Sequence, residues 1–267
     1  RVTEAGTVAE ALSSATAAFD AAGVDSPHLD AELLLAEATA RTREQLAIDP
    51  DAPVSGPQGR HFGALVRRRV AREPVAYILG HRGFRNIDLQ TDRRTLIPRP
   101  ETELLVEVAL ELEPSWILDV GTGSGAIALA LADEMPAAEV VAVDVSEEAL
   151  TVAEANARAL GFVDRVGFRL GSAPSAAADG PFDLVVANLP YIPDSDRRML
   201  APEITRYEPD VALFSGSDGL DAIGELLVDL APGGAGPDCG AVALEIGQGQ
   251  GEDVRRLIGA AGFDRVE

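Results

Sequence analysis

Apolar positions along the chain follow two different periods, and the change between them divides it. Over residues 1–76 they recur at three- and four-residue intervals, the period of a helix. Val8 to Ala22 is one such stretch, closed by Gly23. Ser26-Pro27 then supplies an N-cap and a first-turn proline ahead of Leu29, Leu33, Leu34 and Leu35. A further helix from Pro57 to Arg72 aligns Phe62, Leu65, Val66 and Val70 on one stripe. These segments predict a small N-terminal helical bundle. Across residues 77–100 the pattern shortens to β-like pieces, Ile87–Leu89 and Thr95–Ile97, around Gly80, Gly83 and Asp92, which predict a hairpin linker.

From Pro100-Glu101-Thr102-Glu103, which opens a helix through Leu112, the rest of the chain reads as a third region, 101–267. Apolar runs predict strands at Trp116–Val120, Glu139–Asp144, Val166–Leu170, Leu184–Ala187 and Ala241–Ile246. Amphipathic stretches such as Gly125–Glu134, Glu147–Leu160 and Leu220–Leu230 lie between them. Alternation at this spacing defines an α/β region with a mostly parallel sheet covered on both faces. The final residues look like the start of a sixth strand that stops at Glu267. The chain opens on Arg1 rather than Met, so residues preceding it are expected.

Composition narrows the function. With 267 residues and 46% hydrophobic content, the chain can bury one α/β core and a smaller unit. No apolar run reaches a membrane span, and no signal segment is evident at the start, so a cytoplasmic protein without membrane contact is expected. The lone Cys239 excludes an internal disulfide, and His28, His61 and His81 share no ligand spacing, so no metal site is expected. All 22 basic residues are Arg and the formal net charge is −22, which disfavours general attraction to nucleic acid. Ten of those arginines fall in residues 60–99 against only Glu73, Asp88 and Asp92. The run Arg67 to Arg72 reads most simply as a solvated helix face.

Two strand ends carry the candidate chemistry. Asp119-Val120-Gly121-Thr122-Gly123-Ser124-Gly125 runs from a strand through a glycine turn into a helix, as a nucleotide-binding loop does. Gly121, Gly123 and Ala126 also satisfy the dinucleotide pattern, with Asp144 near the ribose-binding distance, so hydride transfer remains open on this motif. Asp119 could receive the ammonium of a methionine moiety or could hold the loop. Asp144 would accept both ribose hydroxyls under either reading. At the next switch in the sheet, Asn188-Leu189-Pro190-Tyr191 offers an amide, a proline that bares neighbouring carbonyls, and an aromatic face. Such a set suits a flat acceptor nitrogen, which hydride transfer does not call for. S-adenosylmethionine is therefore the expected cofactor.

Taken with these motifs, the chain resembles the HemK/PrmC family of class I methyltransferases over nearly its whole length. The most specific stretch is Leu96-Ile97-Pro98-Arg99-Pro100-Glu101-Thr102-Glu103-Leu104-Leu105. Tyr77-Ile78-Leu79-Gly80, Asp218-Gly219-Leu220-Asp221 and Leu244-Glu245-Ile246-Gly247 are similar to family positions as well. The resemblance implies a Rossmann-like catalytic fold that methylates the side-chain amide (N5) of a glutamine in class 1 peptide-chain release factors, and so modulates translation termination. It implies acceptor roles for Asn188, Leu189, Pro190 and Tyr191, with Asn188, Pro190 and Tyr191 catalytic. Cofactor contacts would come from Asp119, Gly121, Thr122, Gly123, Ser124, Gly125, Asp144 and Asn188. The helical domain and the Arg-rich linker would dock the partner, with the enzyme acting as a monomer.

Two departures stand out. The family usually carries Asn-Pro-Pro-Tyr, and its second position is Leu189 here, a form shared with rRNA adenine dimethyltransferases. Gly171-Ser172-Ala173 lies where many relatives have an acidic and a large side chain near the adenine, so a different adenine pocket is expected. The rivals are a nucleic-acid adenine N6-methyltransferase, a non-catalytic binding module that keeps the fold, and last a nicotinamide dehydrogenase.

Overall fold

Three of the N-terminal helices begin on capping boxes, in which an N-cap hydroxyl and the N3 side chain satisfy each other's backbone N–H. Thr7 and Glu10 open α1 (Val8–Ala21), Thr42 and Gln45 open α3 (Arg43–Ile48), and Ser55 and Gln58 open α4 (Gly56–Val70). Between the first two lies α2 (Pro27–Thr39), where Pro27 takes its expected first-turn place but the Ser26 side chain makes no capping bond. The short α5 (Val75–Leu79) ends on Gly80 in the left-handed region. In the computed structural model, which describes residues 6–263, these helices form one unit, Arg1–Gly80, together with a later segment, Pro202–Tyr207. Phe19, Leu34, Leu35, Leu46 and Phe62 are buried at its centre.

The stripe predicted for α4 is only half right. Phe62 and Leu65 are buried, but Val70 is 40% exposed and Arg69 takes the inward position. Spacing of three and then four residues from Phe62 leads to Arg69, not Val70. Its charge is met there by Asp30 at 2.7 Å and Glu203 at 2.9 Å. Arg72 bonds the same Glu203 through both oxygens, each at 2.6 Å, and Arg68 pairs with Glu73. Arg67 to Arg72 is therefore only partly a solvated face: Arg67, Arg68 and Val70 are exposed, while Arg68, Arg69 and Arg72 each tie the helical unit together.

The second unit comprises His81–Ala201 and Glu208–Glu267. Its first element is a hairpin of β1 (His81–Phe84) and β2 (Ile87–Gln90), antiparallel with Phe84 opposite Ile87. Thr95–Ile97, expected as a strand, is not one. Asp92 instead closes a turn by accepting from the Thr95 and Arg94 backbone N–H groups, and the Ile97 N–H is taken by Glu208. The Thr95 and Ile97 donors, engaged in this way, are not available to a ladder.

Next come α6 (Glu103–Leu112), β3 (Trp116–Val120), α7 (Ala126–Glu134), β4 (Glu139–Asp144), α8 (Glu147–Leu160), β5 (Val166–Leu170) and β6 (Phe182–Ala187). After α9 (Pro202–Tyr207), the segment counted with the helical unit, follow α10 (Asp221–Leu230), β7 (Cys239–Leu244) and α11 (Gly251–Ala260). The sheet order is β5-β4-β3-β6-β7, every pairing parallel. Ile117, Leu184 and Val186 enter the core on one face, and Leu118, Val185 and Ala187 that on the other. Both faces are buried, which is why these strands read as unbroken apolar runs. The expected sixth strand at the chain end lies outside the described residues.

Candidate active site

In this strand order the direction of winding reverses between β3 and β6, so a crevice opens beyond their carboxyl ends. A cavity of about 500 Å³ occupies that position. On one side it is lined by Gly121 to Ser124 and Asp144, and on the other by Asn188, Leu189 and Pro190. Both sequence motifs thus meet in one place.

The glycine loop is built by backbone bonds. The Val143 carbonyl accepts from the N–H groups of Gly121 and Thr122, and the Thr122 carbonyl accepts from Gly125. Gly121, Gly123 and Gly125 have φ of 76°, 57° and 83°, a left-handed conformation that a side chain would strain. A β-carbon at Gly121 would also fall 2.9 Å from the Leu189 side chain, so the loop and the acceptor motif pack directly on each other. Asn156, fully buried on α8, donates to the Ser124 and Gln90 carbonyls and accepts from the Gln90 N–H. It fastens the loop to the hairpin.

Asp144 is aimed by two backbone donors, Gly123 N–H at 2.8 Å and Ser146 N–H at 2.9 Å, one on each oxygen. Burial pushes its carboxyl above the usual range, and those bonds oppose the shift. A carboxylate has about four acceptor positions, so each oxygen keeps a lone pair for a ribose hydroxyl. Asp119 sits differently. It is fully buried and absent from the cavity lining; its Oδ2 accepts from Thr122 Oγ1 at 2.6 Å and the Ala128 N–H at 3.2 Å. Of its two expected roles, holding the loop is the one with visible bonds. Its Oδ1 has no partner, and burial pushes the group up to about 7.

Asn188 donates from Nδ2 to Thr102 Oγ1 at 2.8 Å, leaving Oδ1 available to an incoming N–H. Thr102 in turn donates to Glu245 Oε2 at 2.6 Å, and the Tyr191 hydroxyl donates to Glu245 Oε1 at 3.2 Å. Burial, and then the charge of Glu245, push that phenol up to about 12. Gln250 donates to the Tyr191 carbonyl at 3.0 Å. Gly219 packs so closely that a β-carbon there would lie 2.1 Å from the same oxygen. Gly171, Ser172 and Ala173 line the cavity beside Asp144, and the small side chains leave that wall open. Thr102, Asn156 and Gln250 had no assigned role in the sequence reading. Thr102 and Glu245 lay in recognised motifs, whereas Asn156 showed only as a polar residue among alanines.

A glycine loop, the Asp144 carboxylate and the Asn188–Pro190 edge sharing one cavity at the switch point are the layout of a nucleotide-fold methyltransferase. Comparison with known proteins agrees. Residues 117–207 match the family described as a methyltransferase domain, and residues 10–80 match the PrmC N-terminal domain. The release factor glutamine methyltransferase of Rhodospirillum rubrum is 43% identical over 91% of this chain and 74% of its own. Those of Caulobacter vibrioides (39%; 97% and 91%) and Moorella thermoacetica (42%; 98% and 93%) are similar to comparable extents. Among solved structures, the hMettl16 catalytic domain in complex with MAT2A 3′UTR hairpin 6 shares the fold. Its TM-score is 0.52 at 14% identity, over 67% of this chain and 69% of that one. The chain belongs to the release factor glutamine methyltransferase family, whose methyl donor is S-adenosylmethionine.

The chain's residues fit that donor. Gly121 and Gly123 put no side chain into the cavity, Asp144 keeps acceptor capacity for a ribose, and the cavity extends from there to Asn188.

Proposed function

We infer that this protein methylates the side-chain amide nitrogen of a glutamine in a peptide-chain release factor. The observation that carries this reading is the single cavity shared by the glycine loop, Asp144 and Asn188, in a chain of this family. S-adenosylmethionine supplies an electrophilic methyl on a sulfonium when bound. The loop of Gly121 to Ser124, with Asp144, would hold it. Asn188 Oδ1 and a backbone carbonyl at Leu189–Pro190 would accept the two N–H groups of the acceptor amide, fixing a weak nucleophile in the reactive orientation. Tyr191 would bound the amide plane. Its phenol, pushed up to about 12 and donating to Glu245, stays protonated at neutral pH and is not the base. A strong base is not required, because the amide proton becomes acidic as the new bond forms.

The helical unit is proposed as the docking part. That unit matches a family of its own, the PrmC N-terminal domain. Arg67 is the position to reverse in a docking test, since Arg68 is already bonded to Glu73 and to the Tyr77 and Ile78 carbonyls.

The deciding experiment incubates the protein with methyl-labelled S-adenosylmethionine and, separately, a release factor, its Gln→Ala variant and ribosomal RNA. Label on the intact release factor alone is expected. Label on RNA, or label surviving the Gln→Ala change, would overturn the reading. Cofactor binding without label anywhere would indicate a binding module.

A further inference from the structure

We propose that Thr102 and Glu245 are positioning residues that form a one-way hydrogen-bond chain, Asn188 to Thr102 to Glu245, which dictates the end of the Asn188 amide that meets the acceptor. The inference rests on the reading above, in which an acceptor N–H bonds to Asn188.

The direction follows from what each group can do. An ionised carboxylate only accepts, so both hydroxyls that touch Glu245 must give it their protons. Thr102 does so at 2.6 Å and Tyr191 at 3.2 Å. A hydroxyl has one proton, so Thr102 Oγ1 can then only accept. The group it accepts from is the Asn188 amide, at 2.8 Å. Nδ2 must therefore point at Thr102, since the flipped amide would set two acceptors against each other. Oδ1 is left for the substrate, and the site is committed to an acceptor that presents an N–H.

The three members come from distant parts of the sequence: the start of α6, the end of β6 and the residue after β7. Backbone bonds hold the spacing. The Glu245 N–H donates to the Ala187 carbonyl at 3.0 Å, next to Asn188. Thr102 is 4% exposed, so water competes little for its hydroxyl. One carboxylate thus ties the Asn188 amide, through Thr102, to the Tyr191 hydroxyl; Thr102 also lines the cavity, whereas Glu245 and Tyr191 lie behind its lining.

Thr102→Val keeps the shape and removes the hydroxyl. Glu245→Gln keeps the volume but turns one of the two acceptors into a donor, so the direction of the chain is no longer imposed. Each is expected to lower kcat on a release factor by about ten- to a hundredfold, the scale set by a misoriented reacting group. KM and cofactor affinity should stay within about twofold, because neither residue belongs to the glycine loop or the docking unit. Thr102→Ser restores the hydroxyl and should recover kcat to within about threefold of the wild type. The relay is overturned if Thr102→Val or Glu245→Gln keeps wild-type kcat, or if Thr102→Ser is as slow as Thr102→Val. It is overturned equally if cofactor affinity falls as far as kcat, the mark of a merely structural role. Should Thr102→Val fail to fold, Glu245→Gln and Thr102→Ser decide the matter. A wild-type protein that labels no release factor would instead overturn the assigned substrate, a separate outcome.

Discussion

Asp119 is ionisable yet shut off from water, which makes its proton a reporter of the glycine loop. Burial raises its carboxyl to about 7, against the pull of the bonds from Thr122 and Ala128 and with a small push from Asp144. The folded protein thus holds this proton more tightly than the unfolded chain, whose value is 3.8. The stability so gained is complete below the unfolded value and is lost as pH rises toward 7. Asp119→Asn carries no such proton. The melting temperature of the wild type minus that of Asp119→Asn should therefore fall between about pH 4 and pH 7; a flat difference would contradict the assignment. Asn188 lines the cavity itself and calls for a different readout. Asn188→Ala should abolish methyl transfer while cofactor affinity stays within a few-fold, because Asp144 and the glycine loop are untouched. Equilibrium binding of the cofactor checks this, and a large loss would mean that Asn188 serves the donor rather than the acceptor.

The elements that were legible in the sequence are those whose burial is uniform. Strands β3, β4 and β6 have both faces covered, so each is a nearly continuous apolar run, and the glycine turn after β3 declares itself by composition. Less legible were α3 and α5, with six and five residues, too short to display a helical period. The Thr42–Gln45 capping box was nevertheless a local signal for α3. Ile87–Leu89 does lie in the hairpin, within β2, but its partner is β1 rather than Thr95–Ile97, because that pairing depends on a tight turn at Arg85 (φ 51°) rather than on apolar content. The inward face of α4 was misjudged for a related reason: Arg69 is buried only because Asp30 and Glu203, 39 and 134 residues distant in number, come to meet it. Burial raises the Asp30 carboxyl and Arg69 only partly reverses the shift; burial also pushes Glu203 up, but its bonds to Arg72 and Arg69 prevail and leave it lowered. Arg69→Met fills a similar volume but strands Asp30, so it should destabilise the helical unit by roughly 3 kcal/mol. Asp30→Asn added to it should return part of that loss. Urea unfolding monitored on the helical unit measures both, and an unchanged midpoint for Arg69→Met would show that the pair contributes nothing.

Charge distribution governs how the whole protein meets a partner. The arginines of residues 60–99 looked like a basic patch in sequence, yet Arg68, Arg69, Arg72, Arg85, Arg94 and Arg99 are each in an ion pair. Each is matched by a neighbouring carboxylate, so they form no bare basic patch within a chain whose net charge, with all of them counted, is −22. A field of that sign favours encounter with a basic protein, and the glutamine-bearing domain of a release factor, which works against ribosomal RNA, is expected to be basic. Attraction of this kind acts on encounter more than on the bound complex, so salt should weaken it. Raising salt from about 50 to about 300 mM shortens the Debye length from roughly 14 to roughly 6 Å. Over that range kcat/KM on a release factor should fall about fivefold or more, with kcat at saturation nearly unchanged. A short neutral peptide carrying the same glutamine should show no comparable fall, since it has no charge for the field to steer. If the release factor and the peptide respond to salt alike, the acidity of this chain plays no part in finding its substrate.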